Sequence, residues 1–126
     1  MDNVAVARRL FDALAVEDDA AVRALCAPRF SLHQNGGPAM DVALLLRFNR
    51  QVHAVVNEFR YEAVVCAATP SGFVEEHVVR GTLADGTPLQ LFACVVGEIA
   101  AGQVVLVREY VDTAAAAPLL AALARR

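Results

Sequence analysis

Residues 73–112 read FVEEHVVRGTLADGTPLQLFACVVGEIAAGQVVLVREYVD, and this stretch decides the fold. Runs of Val, Leu, Phe and Ile are cut by "DG" at 85–86 and "AAG" at 100–102, turn signals that reverse a chain between antiparallel strands. Upstream, "FRYEAVVCAAT" (59–69) passes through the turn "PSG" into the same segment. Three successive hairpin connections thus join four long strands into a meander.

Working outward, the texture on either side is helical. In "NVAVARRLFDALAV" (3–16) apolar residues recur at Val4, Ala7, Leu10, Phe11 and Leu14, the spacing of one helix face. "EDDAAVRALCAP" (17–28) restarts a helix behind acidic caps, with Val22, Leu25 and Cys26 inward and Pro28 as its stop. "RFSLHQ" (29–34) alternates Phe30, Leu32 and Gln34 against Ser31 and His33, a short strand, and "NGGPAM" (35–40) is a turn. Asp41 caps a third helix, "VALLLRFNRQVHAVVNEF" (42–59), which carries Asn49 within its apolar arc and His53 at the margin of that arc. Asp112 or Thr113 caps a last short helix, "AAAAPLLAAL" (114–123). Helices followed by a meander predict an α+β fold, a curved, mostly antiparallel sheet closing a cavity against the helices on one face.

Composition narrows the function. A chain of 126 residues predicts one domain, 1–126. Apolar residues make up 57% of it, largely Ala and Val. No apolar run approaches the ~20 residues that span a bilayer, and the amphipathic N-terminus has no signal-peptide core. A cytoplasmic protein without membrane contact is therefore expected. Net charge is −3 and the arginines are scattered, which argues against nucleic acid. Cys26, Cys66 and Cys94 are odd in number and sit in apolar contexts, as small core residues do. His33, His53 and His77 lack metal-ligand spacing, so neither a metal nor a cofactor is expected.

The element order, with "VARRLFDAL…EDDAAVRALCAP" in front, "HVVRGTLADGTPLQLFACVV" behind and a closing "GQVVLVREYVD", resembles the NTF2-like superfamily. Within it, the chain is similar to SnoaL-like domains, the branch of ketosteroid isomerases, polyketide cyclases and limonene-epoxide hydrolases. The resemblance implies a cone, with the sheet wrapped over three helices around an apolar pocket, and a homodimer formed through the outer sheet face. In the isomerase branch the general-base carboxylate falls on Gln34, which cannot take a proton, and the tyrosine donor falls near Leu10 or Phe11. In the epoxide-hydrolase branch the last-strand carboxylate falls on Glu109, whereas the Arg and acid of the neighbouring strand fall on Glu75 and His77.

Strand alternation sorts these positions. Glu75, His77, Val79 and Gly81 share the face predicted to meet the cavity, and Glu76, Val78, Arg80 and Thr82 the opposite one. In the last strand Val105, Val107, Glu109 and Val111 share a face, so Glu109 is a lone acid among valines. Desolvation should raise its pKa unless a charged His77 beside it draws it down. His77 and Glu109 are the candidate catalytic pair, exchanging protons near neutral pH. Glu75, expected at the pocket mouth, joins Gln34 and Asn49 as substrate-binding candidates, with Phe30, Phe48 and Phe92 as pocket wall. Tyr110 is expected at a dimer face and His33 and His53 at the surface or its margin. The reading is a cofactor-free acid–base enzyme acting on a compact apolar, polyketide- or terpenoid-like molecule. The alternative is a non-catalytic small-molecule-binding or dimeric assembly module.

Overall fold

A computed structural model describes residues 1–125. Two helices come first, α1 (Asn3–Ala15) and α2 (Asp19–Leu25), then strand β1 (Cys26–Gln34) and helix α3 (Val42–Val55). The meander follows as β2 (Val56–Ala68), β3 (Gly72–Leu83), β4 (Pro88–Ala100) and β5 (Gln103–Val111), and α4 (Thr113–Ala124) ends the chain. Each helix starts where an aspartate satisfies free backbone N–H groups, Asp2, Asp18, Asp41 and Asp112 in turn.

The strands form one five-stranded sheet in the order β1-β5-β4-β3-β2. The meander strands pair antiparallel, and β1 joins the far edge parallel to β5. Ala101 and Gly102 both take positive φ, 52° and 77°, at the tight β4–β5 turn. Edge strand β2 carries two register breaks, and Glu58 and Ala63 sit at them with φ near +57° and +53°. Such bulges bend and twist a strand, which curls the sheet over the helices. The fold is the expected α+β cone.

Alpha-helical spacing on α1 buries Val6, Ala7, Leu10, Phe11 and Leu14 against the concave sheet face, where Phe73, Val95, Val104 and Val107 complete one core cluster. A second cluster joins Val52 of α3 to Leu89 and Leu91 of β4 and to Ala116 and Leu119 of α4.

Three expectations about local structure are corrected. Helix α2 stops at Leu25, so Cys26 and Pro28 belong to a longer β1. Helix α3 stops at Val55 and hands over directly to β2. In β5 the register with β4 passes from Ile99–Val104 to Glu98–Leu106; Val105 falls in this irregularity, and Val104, not Val105, is the fully buried residue.

Candidate functional site

The cavity lies between the concave sheet face and α1, α3 and α4, and has a volume of about 200 Å³. Apolar side chains line most of it, among them Leu14, Phe48, Val52, Leu91, Val107 and Leu119. Its polar lining comes from Gln34, Asn35, Asn49, Tyr61, Glu109 and Thr113.

Register explains which polar groups meet. Gln34 on β1 lies opposite Glu109 on β5, Glu109 opposite Val95 on β4, Val95 opposite Glu75 on β3, and Glu75 opposite Cys66 on β2. A single row across the sheet therefore carries Gln34, Glu109 and Glu75 on the concave side. Gln34 donates from Nε2 to Glu109 Oε1 at 2.8 Å. Asn35 locks that end of β1, since its amide exchanges two hydrogen bonds with the Val111 backbone. Burial holds the Glu109 carboxyl above its ordinary range, while the Gln34 hydrogen bond and any positive charge on His77 act in the opposite direction. Desolvation prevails, as expected from the lone acid on a valine face.

His77 does not pair with Glu109 through a hydrogen bond. Its Nδ1 lies 2.7 Å from Glu75 Oε2, two residues away on the same face of β3. Glu75 is 1% exposed and His77 2%, so Glu75 is enclosed and does not stand at the cavity mouth. A carboxylate only accepts, so with Glu75 ionised Nδ1 supplies the proton of this bond. His77 Nε2 is buried without a partner. The rings of Phe11 and Tyr61 flank the imidazole with centroids 4.9 and 4.5 Å away. Both rings line the cavity, and His77 is set back behind them.

The remaining candidates divide. Asn49 is buried on the cavity wall and donates from Nδ2 to the Leu14 carbonyl at 3.0 Å, and His53 Nε2 reaches the same oxygen at 3.0 Å. Both residues thus tie α3 to the last turn of α1, where helix geometry leaves carbonyls free. Phe48 lines the cavity as expected. Phe30 does not; it is buried in the core beside a separate shallow crevice at the start of α3. Phe92 is 60% exposed on the outer sheet face, because its neighbours Leu91 and Ala93 take the inward positions of β4.

Tyr61 is a site residue that the sequence did not single out. It lines the cavity, and burial, reinforced by the Glu109 and Glu75 charges, pushes its hydroxyl far above the usual range. The hydroxyl therefore keeps its proton and acts as a donor. Inward parity on β2 is reset by the two bulges, which fall on non-glycine residues and leave no turn signal in the sequence.

Fold and site together define an α+β cone with an acid-bearing apolar cavity. The sequence matches the family described as SnoaL-like domain over residues 7–107, and the chain belongs to that family. No curated protein matches the sequence. Among solved structures, BvnE pinacolase from Penicillium brevicompactum superposes with a TM-score of 0.80 at 13% identity, covering 97% of this chain and 94% of that one. An NTF2-like protein from Burkholderia xenovorans gives 0.78 at 18%, covering 93% and 94%. An LEH-like epoxide hydrolase from M. tuberculosis gives 0.71 at 18%, covering 98% and 90%. At such identities the likeness is one of fold. Among the described residues, no helix is long and apolar enough to cross a membrane.

Proposed function

We propose that this chain is an enzyme that converts a compact, largely apolar small molecule by acid–base chemistry with its own side chains. The observation that carries the reading is Glu109: a carboxyl with a raised pKa, oriented by Gln34, on the wall of an otherwise apolar cavity. Gln34 occupies Oε1, which leaves Oε2 as the oxygen that gives or takes a proton. A carboxyl tuned toward neutrality serves both directions of transfer. The Tyr61 hydroxyl is placed to donate to a substrate oxygen, the Asn49 Oδ1 to accept from a substrate hydroxyl, and Phe48 to pack on the skeleton. A volume near 200 Å³ is below the usual ~300–1,000 Å³ of ligand sites, which suits a polyketide- or terpenoid-like fragment of few atoms. Membership of the SnoaL-like family, and fold neighbours that include an epoxide hydrolase and a pinacolase, support isomerisation, cyclisation, dehydration or hydrolysis as the reaction class.

A second reading, a non-catalytic binding module, is favoured by two observations: the isomerase-type base position holds Gln34, and His77 is set back from the cavity. One experiment separates the two. A panel of small cyclic enones, epoxides and hydroxyketones is assayed for thermal stabilisation and for turnover, with Glu109→Gln in parallel. The enzyme reading expects turnover that falls by roughly a hundredfold or more in the variant, with stabilisation by the same compound retained. Stabilisation without turnover in either protein selects the binding module.

The outer sheet face supports the expected homodimer. Phe92 and Tyr110 are exposed there, with Val78 and Cys94 half-buried as their cross-strand partners.

A further inference from the structure

Phe11 and Tyr61 each face two spaces. On one side is the cavity; on the other is a cleft of about 220 Å³ between α1 and β2, edged by Arg8, Asp12 and Arg60. The two rings are thus a partition, and the Glu75–His77 pair is built into it. Glu75 lines the cleft but not the cavity, and Glu109 lines the cavity but not the cleft. Between them is an imidazole with one nitrogen bonded to Glu75 and the other buried and unpartnered.

A structural role explains this arrangement poorly. An apolar pair of similar volume would fill the partition without the desolvation cost of two ionisable groups, and a buried polar atom without a partner is rare in a settled core. The cleft, in contrast, is polar at its rim, and Glu75, though almost wholly covered, forms part of its inner wall.

We propose that the cleft between α1 and β2 is a water entrance serving the Glu75–His77 pair, separate from the cavity mouth, and that the pair relays one proton between cavity and cleft. His77 Nε2 takes a proton arriving from the cavity side, and Nδ1 passes its own to Glu75 Oε2. Glu75 then gives that proton to water in the cleft. Only N–H and O–H bonds form and break, and the reverse sequence returns one proton and restores the original tautomer without a ring flip. Glu109 can itself hold a proton between removal and return; the relay adds a route by which the buried site exchanges protons with water, and the apolar cavity then need not admit bulk water. The charged and titratable groups around the relay are Arg8 and Asp12 from α1, Arg60, Tyr61 and Cys66 from β2, and Glu109 from β5.

This inference rests on proton transfer at Glu109, and its test does not depend on turnover. In the full chain with ¹⁵N-labelled histidine, exchange of the His77 imidazole proton with water is measured by NMR in the parent and in two plugged variants. Ala15→Phe fills the cleft and Val79→Phe fills the cavity, with Val64→Met as a second cleft plug should the first not fold. Cleft plugs are expected to slow exchange roughly tenfold or more, and the cavity plug to change it less than about twofold. Slowing by the cavity plug alone, by both plugs equally, or by neither overturns the proposal. Exchange through the cavity with turnover intact would remove the water entrance and leave the enzyme reading standing. Exchange through the cleft without turnover would do the opposite.

Discussion

At the scale of the residue, Glu109 shows how a site can work against the stability of its own fold. Its carboxyl is raised chiefly by burial. Below the ordinary carboxylate pKa of about 4.3, folded and unfolded chains both hold the proton and nothing is lost. As pH rises, the unfolded chain releases its proton first, so the folded state loses stability until its own Glu109 ionises. Glu109→Gln keeps an acceptor for the Gln34 amide and removes the titration. The variant is therefore expected to gain stability relative to the parent as pH rises from about 4, read from urea midpoints at each pH. A difference that stays flat, or shrinks as pH rises, would mean that desolvation does not dominate there. Glu109 was legible in the sequence because a single acid on a valine face has no bland explanation nearby. The partner of His77 was not. Alternation placed Glu75, His77 and Glu109 on one face, but it carries no information on which acid an imidazole two strands from Glu109 will reach. The same-strand neighbour at i−2 won because its side chain needs no strand to be crossed.

At the scale of the element, the signals that worked were local and covalent in origin. Acidic caps marked the starts of α2, α3 and α4, and Gly86 and Gly102, both at positive φ, marked two of the hairpins. What was hidden depends on partners distant in sequence: the parallel seating of β1 on β5, the early start of β1, and the bulges that turn Tyr61 inward. One close approach between strands offers a sharp test. Phe73 on β3 is fully enclosed and lies opposite Gly97 on β4. Its ring packs on the space that a Gly97 side chain would occupy, so even a methyl group there would overlap it. Gly97→Ala is expected to cost about 2–3 kcal/mol by overpacking, measured by urea unfolding, and Phe73→Leu in the same chain is expected to recover part of that loss. A neutral Gly97→Ala would show that the ring can swing aside, and that this end of the sheet is looser than its packing implies.

At the scale of the whole molecule, the helices cover one face of the sheet, and the other carries exposed apolar side chains among its charged ones. The resemblance to a cone was readable from element order, and it placed an interface on the outer face. Counting Phe92 as cavity wall was a parity error, corrected by Leu91 and Ala93 pointing inward. Its real position strengthens the case for the interface: Phe92 lies across from Val78 on β3, and Tyr110 across from Cys94 on β4, so the exposed rings sit on an apolar patch that Glu76, opposite Cys94, bounds on one side. A patch of this kind on a monomer is normally a contact surface or an aggregation hazard. The Arg108–Glu98 ion pair, 2.6 Å long on the same face, gives it a charged margin, as interface rims have. Phe92→Asp places a charge at the centre of the patch and touches nothing in the cavity. It is expected to weaken self-association at least tenfold, seen in sedimentation velocity over a concentration series, while stabilisation by a cavity-bound compound persists. If the parent and the variant sediment alike at every concentration, the patch does not hold two copies together. If both the association and the cavity response disappear, the sheet transmits a change from its outer face to Glu109, and the two faces cannot be treated as independent surfaces.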